Sequence, residues 1–245
     1  MEEEQELVIF LLTTYILGYA LQIFSAQIDP ADPRSLLLYI LITVIPGLIA
    51  MGFILYYRDL PILLNFQRWT QSLPYYLFVI LLPISCLLIP IIFGMIPSPK
   101  WQWLPLVPLL FVLAYLEEMG WRGYIQRRLI DFYSPWIVGL VVGLIWSFYY
   151  LPSYFTNYSG VSILYFSNFI IMNIGLSMIM IYILIRTGSF PLVVILHTTH
   201  ITFANIFLFL DVPGRASGSL YWAGLIYGLL LVLVGTALTY QLDYE

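Results

Sequence analysis

Charge is what this sequence has least of. Aspartate, glutamate, lysine and arginine make up 9% of its 245 residues and hydrophobic residues 62%, whereas a soluble domain is about a quarter charged. A water-soluble globular fold is thereby excluded, and an all-α polytopic membrane helix bundle is implied. Basic residues are scarcer than acidic ones. The net charge is −4, partly from the acidic start Glu2, Glu3, Glu4 and Glu6, and no basic patch could follow a phosphate backbone, so there is no nucleic-acid partner. Cysteine occurs once, as Cys86 in LLPISCLLIP, which excludes an intrachain disulfide or thiolate cluster and reads as a small core residue. The basic segment that opens a cleavable signal is missing too, and the first apolar run reads as a retained span. Neither an internal repeat nor a linker longer than about a dozen residues divides the chain, which predicts a single membrane domain over 1–245.

What is there is apolar length. Eight runs of about 20 residues, the length a bilayer core requires, predict eight transmembrane helices: Leu7–Ser25, Leu36–Tyr57, Pro74–Ile96, Leu104–Arg127, Pro135–Leu151, Ile163–Ile185, Pro191–Leu210 and Ser219–Tyr240. Residues 60–71 alternate apolar patches with Gln67 and Arg68 and suit the interface. Pro83 and Pro90 predict kinks in the third helix, and Gly139 and Gly143 in the fifth predict close approach of another backbone. One set of loops carries Arg58, Arg68, Arg127, Arg128 and Arg186, the other Arg34, Lys100 and Arg215. That bias places both termini in the cytoplasm of a plasma-membrane protein.

Against this background the fourth run, with LAYLEEMGWRGYIQRRL, stands out. Glu117 and Glu118 follow apolar residues without a break, and each carboxylate is disfavoured in a membrane by roughly 2.5 to 3.5 kcal/mol, so a partner or a function is required. Arg122, four residues after Glu118, lies on the same helix face and predicts a structural ion pair. Glu117, about 100° around the helix, is left for other work. Glu117 should lie roughly 10 to 15 Å inside the cytoplasmic helix end, and His197, about nine residues past Gly188, at a similar depth. The two are therefore expected to meet.

EEMGWRG, WSFYYLP at 146–152 and PLVVILHTTH at 191–200 together resemble the three ordered motifs of the CPBP membrane endopeptidases, over a core of approximately 104–205. That family holds type II CAAX prenyl-protein proteases and bacteriocin-processing or Abi-like immunity proteins. The resemblance implies eight helices and hydrolysis of a peptide bond near the membrane by glutamate-activated water, on a peptide or lipidated protein substrate amid membrane lipid. It implies Glu117, Glu118 and His197 as catalytic residues. Two positions depart from the motifs. Tyr150 stands where the family has histidine, and tyrosine, with an ordinary pKa near 10, donates a hydrogen bond but is a poor base. Ile201 stands where it has an asparagine; one lost oxyanion donor typically costs on the order of 100- to 1000-fold in turnover. His200 and Asn205 are auxiliary candidates for the missing groups.

The sequence calls for no cofactor. Two glutamates and two histidines keep zinc in view, but their spacing is not that of His-Glu-x-x-His. Two other classes stay open: a catalytically degraded member acting as a membrane binding or immunity protein, and a proton- or cation-coupled transporter. Oligomeric state is not fixed by sequence.

Overall fold

Apolar runs with no water to satisfy their backbone must close their own hydrogen bonds, and helices do so. The computed structural model describes residues 3–29, 31–57, 72–85, 88–89, 101–156, 162–203 and 218–242, and they are helical with short connections. The helices are α1 (Glu3–Ser25), α2 (Pro33–Tyr57), α3 (Leu73–Ile84), α4 (Val107–Glu118), α5 (Pro135–Tyr149), α6 (Leu151–Thr156), α7 (Ser162–Thr187), α8 (Phe190–Phe203) and α9 (Gly218–Leu242). Among the described residues, five stretches are long and apolar enough to cross a membrane: Glu4–Ser25, Pro33–Tyr56, Leu104–Leu129, Tyr165–Thr187 and Tyr221–Leu242. Three shorter apolar helices, α3, α5 and α8, accompany them. This is an integral membrane protein of the all-α class. The eight apolar runs of the sequence all contribute helix, but α5, at 15 residues, is shorter than the 20 or so expected. Cys86, Pro90 and residues 60–71 lie outside the described residues.

Helix boundaries follow local chemistry. Ser72 and Ser134 precede Leu73–Pro74 and Pro135, and a proline in the first turn loses only an N–H that had no helical partner. Between α7 and α8, Gly188 takes a positive φ of 62° and donates to the Leu184 carbonyl at 2.8 Å, the glycine ending that turns the chain back. In the α1–α2 connection, the Arg34 guanidinium lies 2.6 Å from Asp32. Its hydrogen bonds hold the half-buried Asp32 carboxyl down, at about 2.

The Leu104–Leu129 stretch is not one uniform α-helix. A 3₁₀ segment, Trp101–Leu106, leads into α4, and after Glu118 the chain continues as a π-helix over Met119–Gln126 before a final turn, Arg127–Leu129. Such i→i+5 segments are rare and recur at functional sites. This one lies where α2 crosses. A Cβ on Gly47 would overlap the Leu116 carbonyl oxygen, and one on Gly120 would come within 2.6 Å of Pro46 Cβ. Only hydrogen at both positions lets the two backbones approach this closely.

At the other side α7, the most buried of the five long helices, packs most extensively on α9 and α5. The close approach expected at Gly139 and Gly143 is made here: added Cβ atoms would lie 2.9 Å from Met178 Cα and 2.6 Å from Ile174 Cα. α8 packs against α3 and α4. Thus α4 with its π-helical extension, α5 and α8 bring three polar stretches together in an apolar interior.

Candidate active site

Glu117 and Glu118 end α4, and Arg122 stands one turn on in the π-helix. The Arg122 Nη1 lies 2.9 Å from Glu118 Oε2 and 3.2 Å from Oε1, with both side chains fully buried. The guanidinium carbon also stands 4.6 Å from the centre of the Trp146 ring, a cation–π contact. Its Nε and Nη2 have no hydrogen-bond partner among the described residues.

Glu117 gathers three donors. Its Oε1 accepts from Trp146 Nε1 at 2.8 Å, Tyr150 OH at 2.8 Å and Trp121 Nε1 at 3.3 Å. Three donors on one oxygen fix the carboxylate and turn Oε2 toward α8. There the His197 Nε2 lies 4.0 Å from Glu117 Oε2. That separation exceeds hydrogen-bond reach and is one at which a shared water must be considered. The other ring nitrogen, Nδ1, is 2.6 Å from Glu118 Oε1. The Trp146 ring meets the His197 ring edge-on at 4.9 Å.

Two acids, one guanidinium and one imidazole therefore form a connected buried group. With His197 neutral its formal charge is −1, and taking up one proton brings it to zero. A group so balanced can accept a proton without leaving a net charge in the hydrocarbon. Among the described residues, no three histidine, cysteine, aspartate or glutamate side chains are arranged to hold a metal ion.

The auxiliary candidates fall elsewhere. The His200 Nδ1 faces Tyr227 OH of α9 at 3.3 Å, with the two rings stacked at 6°. Asn205 lies outside the described residues. Ile201, one turn beyond His197 on α8, is partly buried and brings no polar group.

The family described as "Type II CAAX prenyl endopeptidase Rce1-like" matches residues 98–203. That match takes in under half of the chain, and over it the sequence is similar to the type II CAAX prenyl endopeptidases. A "CAAX prenyl protease 2" of Methanococcus maripaludis is 33% identical over 101 residues, which cover 37% of this chain and 37% of that protein. The chain thus spans well under half the length of that relative. The matched segment holds α4 to α8 and every member of the buried group. It leaves out α1, α2, α3 and α9.

Trp121 and Trp146 were not assigned a part by the sequence. The signal existed: Trp121 follows Glu117 by four residues, and Trp146 precedes Tyr150 by four, so both tryptophans share a helix face with a polar neighbour. What spacing could not give was that the two faces meet on one oxygen.

Proposed function

We propose that this chain hydrolyses a peptide bond in a membrane-delivered peptide, of which a prenylated C-terminal tail is the leading class, with Glu117 and His197 activating the water. One observation carries the proposal: the Oε2 of Glu117 and the Nε2 of His197 face each other at 4.0 Å while Oε1 is held by three donors. A carboxylate fixed on one oxygen and turned to an imidazole on the other is arranged to take a proton from water between them. The water oxygen then bonds to the scissile carbonyl carbon, its proton passing to the carboxylate or imidazole and on to the leaving amine as the C–N bond breaks. Glu118 and Arg122 hold the imidazole and balance the charge. This scheme calls for no cofactor. Similarity to the CAAX prenyl protease 2 of Methanococcus maripaludis supports a prenylated substrate, and the basic-residue bias supports cytoplasmic termini.

The test is cleavage of a panel of prenylated and unprenylated peptides by the purified protein beside Glu117→Gln. Cleavage that disappears in the variant is expected. No cleavage of any peptide by the parent would overturn the proposal.

A second reading has its own observation. The Tyr150 hydroxyl sits on Glu117 at 2.8 Å, in the place where the family motif has a basic histidine. A carboxylate stoppered in this way suits a binding or immunity protein that keeps the family's fold without turnover.

A further inference from the structure

α5 ends abruptly, and its end needs explaining. The last carbonyls of a helix have no partner within it, and here the α-helical ladder breaks at Tyr150, whose N–H turns to Ser147 O at 3.1 Å. Pro152 stands four residues beyond Phe148 and has no N–H to offer that carbonyl. In a hydrocarbon interior each such carbonyl must find a donor.

Donors for the Phe148 and Tyr149 carbonyls come from α1, which also reaches the Ile145 carbonyl one turn earlier. The Tyr15 hydroxyl donates to Ile145 O at 2.5 Å, the Tyr19 hydroxyl to Phe148 O at 2.7 Å, and Gln22 Nε2 to Tyr149 O at 2.8 Å. Gln22 also reaches across the break. Its Oε1 accepts from Ser153 N at 3.2 Å and Ser153 Oγ at 2.7 Å. Tyr15, Tyr19 and Gln22 recur at helical spacing and form one polar stripe along α1. Between them Gly18 leaves room for the Tyr149 ring, which any Cβ there would overlap. The segment so held contains Trp146 and Tyr150, the two donors that reach Glu117 from α5.

We propose that α1 is a positioning element of the site: Tyr15, Tyr19 and Gln22 fix the broken end of α5 so that Trp146 and Tyr150 stay on Glu117 Oε1. This rests on the reading of Glu117 as the working carboxylate. α1 lies outside the matched residues 98–203, so the device belongs to the part of this chain that the family match does not cover.

The experiment uses the full chain in detergent or nanodiscs with two variants, Gln22→Met and Tyr19→Phe. The second removes one hydroxyl and no other atom, and serves if the first does not purify as a single species. The infrared band of the Glu117 carboxyl is identified from the difference between parent and Glu117→Gln. In both variants it should move in the direction it moves in Tyr150→Phe. A band that stays at the parent position in a well-folded variant overturns the proposal. This reading needs no turnover, so a parent that cleaves nothing defeats the proposed function and leaves the positioning test standing. Where the parent cleaves, Gln22→Met should lower kcat by about 10- to 100-fold with KM little changed, the scale of a small displacement of reacting groups. The loss should shrink when Tyr150→Phe is already present. Full additivity with Tyr150→Phe would mean that Gln22 acts on the fold and not through the Glu117 donors.

Discussion

Arg122→Leu separates a structural from an idle guanidinium. The side chain is fully buried, 2.9 Å from Glu118, and removing it leaves two carboxylates in hydrocarbon with only His197 to balance them. Breaking a buried pair from one side typically costs about 3 to 5 kcal/mol. The lower end applies here, because Nε and Nη2 of Arg122 have no partner among the described residues and their removal returns part of their desolvation. About 3 kcal/mol corresponds to a fall in melting temperature of roughly 6 to 12 °C for a chain of this size. The assay is a thermal melt in one detergent, followed by near-ultraviolet circular dichroism. Glu118→Leu combined with Arg122→Leu is the control. Apolar replacement of both partners removes the uncompensated charge as well as the orphaned donors, so the double variant should melt at or above the parent. A melting temperature in Arg122→Leu within about 2 °C of the parent would refute the pairing as a stabilising contact.

Gly47→Ala should prevent α2 and α4 from crossing as they do, since its Cβ would overlap the Leu116 carbonyl; loss of monodisperse protein on gel filtration is expected, and a variant as stable as the parent would contradict the packing. Combining Tyr150→His with Ile201→Asn should raise peptide cleavage above either single change, because the first supplies a base with pKa near 6.5 and the second an amide donor one turn from His197. A well-folded double variant with no gain, on peptides that an active relative cleaves, would show that these two positions do not limit the reaction.

How far the sequence reached depends on the range of the interaction concerned. Hydropathy is summed along the chain, so the apolar runs and the all-α class were readable. The Glu118–Arg122 contact was readable for the same reason: it joins residues four apart on one stretch of helix. Glu117 was not. Its donors Trp146 and Tyr150 come from another helix, 29 and 33 residues away in the chain, and no local pattern states which faces will meet. Nor did periodicity reveal the π-helix at Met119–Gln126, because a change from i→i+4 to i→i+5 hydrogen bonding leaves hydropathy as it was. It coincides with the contact of Gly120 against Pro46, a tertiary event.

Prolines mark the boundary between the two kinds of information. Pro46 and Pro152 each deny a hydrogen bond to the carbonyl four residues earlier, which is Ile42 in α2 and Phe148 in α5. That much is arithmetic on the sequence, and a membrane interior guarantees that some donor must answer. The structure supplies them: Tyr149 OH donates to Ile42 O at 2.6 Å and Tyr19 OH to Phe148 O at 2.7 Å. Both tyrosines were visible as residues, but this chain has 20 tyrosines, and nothing local singles out the two. Together they tie α1, α2 and α5 to one another around the segment that carries Trp146 and Tyr150. A carbonyl freed by proline in one helix thus becomes the attachment point for the next, and the geometry at Glu117 inherits the precision of those attachments.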